Sequence, residues 1–127
     1  MTIMEPRKRI LLVDDDYDHL LMVNLILQKR GYSVLTMAGC DKMDELTDAV
    51  ESYRPHLIFM DHEMRGICGM DLSLMLKSHP EFGKIPVIYF SGHDNIVQLA
   101  KEARADSYLR KPFQIDGLME ITRKYLA

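Results

Sequence analysis

The 127-residue chain contains only two cysteines, no long apolar run and no dense cluster of basic residues. Each absence removes a class of protein. Cys40 and Cys68 lie far apart and fit no metal-binding or redox spacing, so both are read as reduced thiols and no disulfide is assigned. No apolar stretch approaches the roughly 20 residues that a membrane span needs. Met1-Thr2-Ile3-Met4-Glu5-Pro6 lacks the apolar core of a signal peptide, so a cytoplasmic location is expected. The net charge of −3 opposes association with a phosphate backbone, and no basic, aromatic-studded strand offers a nucleic-acid footprint, so direct DNA binding is not expected. Internal repeats, low-complexity tracts and linkers are missing as well. With 47% hydrophobic residues, the chain suits one compact domain, 1–127, with its core from about residue 9 to 126.

What is present is a set of short apolar runs, each ending in a chemically capable residue. Ile10-Leu11-Leu12-Val13 runs into Asp14-Asp15-Asp16, Leu57-Ile58-Phe59-Met60 into Asp61, Val87-Ile88-Tyr89-Phe90 into Ser91, and Ser107-Tyr108-Leu109-Arg110 into Lys111. Runs of this length, bounded by turn signals, fit strands buried on both faces of a parallel sheet. Amphipathic segments separate them. Asp16 to Arg30 sets Leu20, Val23 and Leu27 on one stripe and ends at Gly31. A helix from an Asp41 cap to about Tyr53 stops at Pro55, after the strand Tyr32 to Met37. Further helices run from near Gly69 to His79-Pro80, from an Asp94 cap through Ala103, and from about Ile115, where Leu118, Ile121 and Tyr125 fall at helical spacing. Five right-handed βα units make a doubly wound α/β sheet.

In such sheets the ligand crevice lies beyond the carboxyl ends of the strands, where strand order reverses. Carboxylates, a hydroxyl and an amine are thereby expected to converge. A run of aspartates after a strand is commonly a solvated helix start, and Asp16 is read that way. Asp61 is different, because it ends a buried run and would be a poorly solvated charge without a partner. Its combination with Asp15, Ser91 and Lys111, each at the same end of another strand, marks a functional site.

In order and spacing these residues resemble the response-regulator receiver domain, the phospho-accepting half of bacterial two-component signalling, in its stand-alone, chemotaxis-regulator-like form. Asp14-Asp15 resembles the family's acidic pair, Asp61 its phosphorylated aspartate, Ser91 its Ser/Thr after the fourth strand, and Lys111-Pro112-Phe113 its Lys-Pro dipeptide. The resemblance implies a flavodoxin-like (βα)5 fold with strand order 2-1-3-4-5. It implies a phospho-acceptor and not a conventional enzyme: Asp61 takes phosphate from a sensor histidine kinase or a histidine phosphotransfer protein, assisted by Lys111 and Ser91. Mg²⁺ is the implied cofactor, held by Asp15, Asp61 and the backbone carbonyl of Glu63, with Asp14 acting through water. Glu63 and His93 are implied to tune the lifetime of the acyl phosphate. Ser91 and Tyr108 are implied to form a switch, read by a protein target on the face of the fourth helix, fifth strand and fifth helix.

Two positions depart from the pattern. Arg65 stands where the family often has Pro, and Arg104 where many relatives place Gly; a left-handed Arg104 would carry roughly 1 kcal/mol of strain. Competing chemistries fit less well. An aspartyl-phosphate hydrolase of the haloacid dehalogenase type wants Asp where Glu63 stands, and a flavin phosphate would be repelled by Asp14-Asp15-Asp16. A transition-metal site from His62, His93 and Asp61 competes with the simpler reading of two exposed loop histidines. A receiver-like interaction module that does not use phosphate is the remaining alternative, and the intact Asp15, Asp61, Ser91 and Lys111 oppose it. Ten methionines are read as core filler.

Overall fold

The computed structural model describes residues 6–127. Residues 1–5, which belong to the expected 1–127 domain and to the amino-terminal stretch expected to lack a signal peptide, lie outside the described residues. Strands β1 (Arg9–Val13), β2 (Ser33–Met37), β3 (Leu57–Asp61), β4 (Val87–Ser91) and β5 (Ser107–Arg110) alternate with helices α1 (Tyr17–Lys29), α2 (Met43–Tyr53), α3 (Gly69–Ser78), α4 (Ile96–Glu102) and α5 (Ile115–Leu126). All strand pairs are parallel and the order is β2-β1-β3-β4-β5, as expected. The order reverses between β1 and β3, which places the crevice where Asp14 and Asp61 leave the sheet.

Two apolar layers sandwich the sheet. Alternate side chains of one strand point to opposite faces. Leu11, Val13, Ile58, Met60, Val87 and Tyr89 therefore pack with Leu46, Val50, Leu72 and Leu76 of α2 and α3, while Ile10, Leu12, Phe59, Ile88 and Phe90 pack with Leu20, Val23, Leu27 and Leu118 of α1 and α5. The three central strands are buried along their whole length except at Arg9; the edge strands β2 and β5 are only half-covered.

Helix ends differ from expectation at two of the starts. Asp16 caps α1, accepting from the N–H groups of Asp18 and His19. Neither Asp41 nor Asp94 caps a helix: the residues flanking α2 and α4 are Lys42 and Asn95, and neither makes a side-chain cap bond. α2 gains its stability from Leu46 and Val50 in the core and from Asp44 and Glu45 against the positive end of its dipole. Arg104 is left-handed, with φ of 58°, and so is Arg54, with φ of 52°. Gly69 opens α3 so close to β3 that an added Cβ would lie 2.0 Å from the Asp61 carbonyl oxygen, so any side chain there would displace the backbone that carries Asp61. No helix among the described residues is long and apolar enough to cross a membrane.

Candidate functional site

Three carboxylates meet at the carboxyl end of β1 and β3. Asp14, Asp15 and Asp61 each offer an oxygen, and these oxygens all lie within 4.8 Å of one another. Asp14 and Asp61 are buried, whereas Asp15 is half-buried. Three sets of donors hold them, with Lys111 shared between two. The Oδ1 of Asp14 accepts from the Asp16 N–H at 3.0 Å, and its Oδ2 accepts from Lys111 Nζ at 3.0 Å and contacts Nδ1 of His19. Asp15 Oδ2 accepts from the backbone N–H of Arg65 at 3.0 Å. Asp61 Oδ1 accepts from Lys111 Nζ at 3.2 Å.

Lys111 thus bridges the two buried carboxylates, and the electrostatics divide between them. Burial, followed by the charge of Asp14, pushes the Asp61 carboxyl up to about 6, against the pull of Lys111. Burial also opposes the charge on Asp14, but hydrogen bonds from His19 and the Asp16 N–H, with Lys111, outweigh it and hold that carboxyl at about 2. Burial opposes the Lys111 charge in turn, and Asp61 and Asp14 more than offset it, so its pKa is raised. A compact group of hard oxygen donors with net negative charge fits a small divalent cation such as Mg²⁺, which prefers oxygen ligands and retains several waters. His62 and His93 do not join this group. Burial, then His93, lowers the pKa of His62, whose Nδ1 is engaged by the Tyr89 hydroxyl, so His62 is not a free loop histidine.

Ser91, Glu63 and His93 lie at the same end of the sheet as the carboxylates. Ser91 ends β4, is buried, and accepts the His93 N–H on Oγ at 3.0 Å. His93 Nε2 is 2.5 Å from a carboxylate oxygen of Glu63, on the facing loop. Asp15, Glu63 and Arg65 line an open cleft of about 540 Å³ beside the acidic group. Tyr108 is exposed on β5. The Arg65 side chain is exposed, and its contribution is the backbone N–H that holds Asp15. A proline at that position has no such donor.

His19 escaped the reading of the sequence. The position is four residues before the buried Val23, and residues four apart share a helix face, so the helical spacing already aimed it inward. Its ring is packed edge-on against Phe90 and Phe113, at centroid distances of 5.5 and 5.3 Å.

Residues 10–123 match the family described as the response regulator receiver domain. Sporulation initiation phosphotransferase F of Bacillus subtilis is 29% identical over 119 residues, covering 94% of both chains. Nitrogen assimilation regulatory protein NtrX of Azorhizobium caulinodans is 35% identical over 122 residues, which are 92% of this chain and 26% of that protein. Among solved structures, the receiver domain of sensor histidine kinase PA1611 from Pseudomonas aeruginosa, with a magnesium ion coordinated in its active-site cleft, superposes with a TM-score of 0.83 at 20% identity, over 95% of this chain and 98% of that one.

Proposed function

Because the chain belongs to the response regulator receiver domain family, we propose that it is a phospho-acceptor of a two-component phosphorelay and that Asp61 is the residue phosphorylated. The observation that carries this reading is the buried Asp61 carboxylate at the end of β3, touched by Lys111 and converging with Asp14 and Asp15. The donor is a phosphohistidine on a sensor histidine kinase or histidine phosphotransfer protein. An Asp61 oxygen attacks phosphorus in line; the new P–O bond forms as the P–N bond breaks, and the imidazole nitrogen keeps the electron pair. Bound Mg²⁺ would neutralise phosphoryl oxygens that the carboxylates otherwise repel, held by Asp15, Asp61 and the Glu63 carbonyl, with Asp14 acting through water. Lys111 turns its ammonium from the carboxylates to a phosphoryl oxygen, and the Ser91 hydroxyl donates to another. Glu63 and His93 border the path of the water that later hydrolyses the acyl phosphate.

Output follows a change of surface. Ser91 and Tyr108 form the switch, and a protein target reads the α4–β5–α5 face, without direct DNA binding by this domain. Mass measurement after incubation with acetyl phosphate and Mg²⁺ tests the proposal. One phosphate on the wild type, none on Asp61→Asn, and loss of labelling in excess chelator are expected. An unlabelled wild type would favour a receiver-like interaction module that does not use phosphate, and an equally labelled Asp61→Asn would place the acceptor elsewhere.

A further inference from the structure

We propose that His19 is a positioning residue for the metal site: its Nδ1–H holds Asp14 so that Asp14 serves Lys111 and the water shell, leaving direct coordination to Asp15 and Asp61. This rests on the Mg²⁺-assisted reading above and adds a residue which that reading does not use. Oδ1 of Asp14 is occupied by the Asp16 N–H, and Oδ2 is shared between Lys111 and His19. Asp14 is fully buried, so its orientation depends on these three donors and not on solvent.

The ring nitrogen facing an ionised carboxylate must carry a proton, which fixes Nδ1 as the donor. The other nitrogen, Nε2, is buried with no hydrogen-bond partner among the described residues. Leaving a polar atom unsatisfied is unfavourable, and the ring is nevertheless held there, edge-on to Phe90 and to Phe113 of the β5–α5 loop. A leucine would fill the same apolar space with no unsatisfied atom. What the imidazole adds at this position is the bond to Asp14. Because Phe113 follows Lys111 by two residues, the same ring supports both Asp14 and the loop that carries the bridging lysine. Hydrogen bonds to groups around a metal commonly set its affinity, with losses of roughly 10–100-fold on removal.

The amide nitrogen of asparagine stands as many bonds from Cβ as Nδ1 does, whereas that of glutamine reaches toward the position of Nε2. His19→Leu removes the donor, His19→Asn replaces it, and His19→Gln displaces it. Titration of the full chain with Mg²⁺ alone, followed by calorimetry or amide NMR, gives affinities without any phosphodonor; denaturant unfolding in chelator reports stability separately. Mg²⁺ affinity is expected to fall about tenfold in His19→Leu and His19→Gln and to stay within about threefold of wild type in His19→Asn. Wild-type affinity in Leu and Gln overturns the proposal, as does an Asn variant as weak as Leu. If His19→Leu does not fold, the comparison of Asn with Gln decides alone. A wild type that takes up no Mg²⁺ is a failure of the metal-assisted reading itself, and the role of His19 falls with it.

Discussion

His93 Nε2 lies 2.5 Å from a carboxylate oxygen of Glu63, tying the β3–α3 loop to the β4–α4 loop beside the acidic pocket. Their side chains are 48% and 70% exposed, so the pair contributes little to stability. The consequence expected of it is kinetic. Glu63→Ala or His93→Ala is expected to change the decay of the acyl phosphate several-fold, equivalent to about 1 kcal/mol in the barrier. Since the two act as one bridge, the double variant should decay no differently from the stronger single one. Decay followed by loss of the phosphoprotein mass checks both statements; curves that overlay the wild type would show that the bridge does not border the water's path.

Asp61 should destabilise the metal-free fold. Its carboxyl is raised from 3.8 to about 6, chiefly by burial. The folded state therefore keeps a proton that the unfolded chain has released, so the group's contribution is fully present below pH 3.8 and lost as the pH rises through 6. Asp61→Asn keeps the shape without the charge. In chelator at pH 7 this variant is expected to be more stable than wild type by roughly 2–3 kcal/mol, and at pH 4 the gap should nearly close. Urea unfolding at the two pH values measures it. Because the cation requires the carboxylate, wild-type Mg²⁺ affinity should also weaken as pH falls below about 6.

His56 gives a pH dependence of opposite sign at the far end of the sheet. Its Nδ1 accepts the Arg9 N–H at 2.9 Å, joining the starts of β1 and β3, and burial, then Arg9 and Lys8, lower its pKa below 6.5. An unfolded chain then protonates His56 before the folded one does. Stability from this group is complete above pH 6.5 and declines as the pH falls below it. His56→Asn offers an oxygen acceptor that does not titrate in this range, so its acid-side loss should be smaller than that of wild type in the same unfolding series. Parallel curves would place the titration elsewhere.

The strands were legible because burial on both faces demands unbroken apolar runs, and Leu57–Asp61 and Val87–Ser91 have them. The carboxylate cluster followed, since a parallel sheet carries all strand ends to one side. Helix starts at Asp41 and Asp94 were misplaced because a capping residue is chosen by loop geometry as well as by its own type: Lys42 and Asn95 occupy the flanking positions without side-chain bonds. Partnerships across the chain were out of reach. His62 with Tyr89 and Arg65 N–H with Asp15 join positions 27 and 50 residues apart, and neither residue type announces its partner. His19 was within reach of helical spacing, but an imidazole five residues after an aspartate is a weak signal until the loop brings Lys111 to the same oxygen.

The proposed switch turns on how β4 and β5 lie against each other. Tyr89 and Tyr108 are register partners, yet Tyr89 is 0% exposed and Tyr108 is 41% exposed, and Ser91 stands two residues beyond Tyr89 at the end of β4. The Ser91 Oγ already accepts the His93 N–H, so its own hydrogen is free to donate to a phosphoryl oxygen on Asp61, which would draw the hydroxyl toward that residue. In the proposed switch, that movement opens space behind it for the Tyr108 ring. Phosphate shifts the balance only by its differential affinity for the two states. A charge-assisted hydrogen bond of roughly 1.5–3 kcal/mol suffices to bring a minor ring-in state to prominence. Ser91→Ala should therefore still accept phosphate, more slowly, while failing to pass the change to the α4–β5–α5 face. Aromatic NMR signals of Tyr108 are expected to move on adding beryllofluoride and Mg²⁺ to the wild type and to stay in place in Ser91→Ala. Identical responses in the two proteins would show that the ring moves without the hydroxyl, and would separate the output face from Ser91.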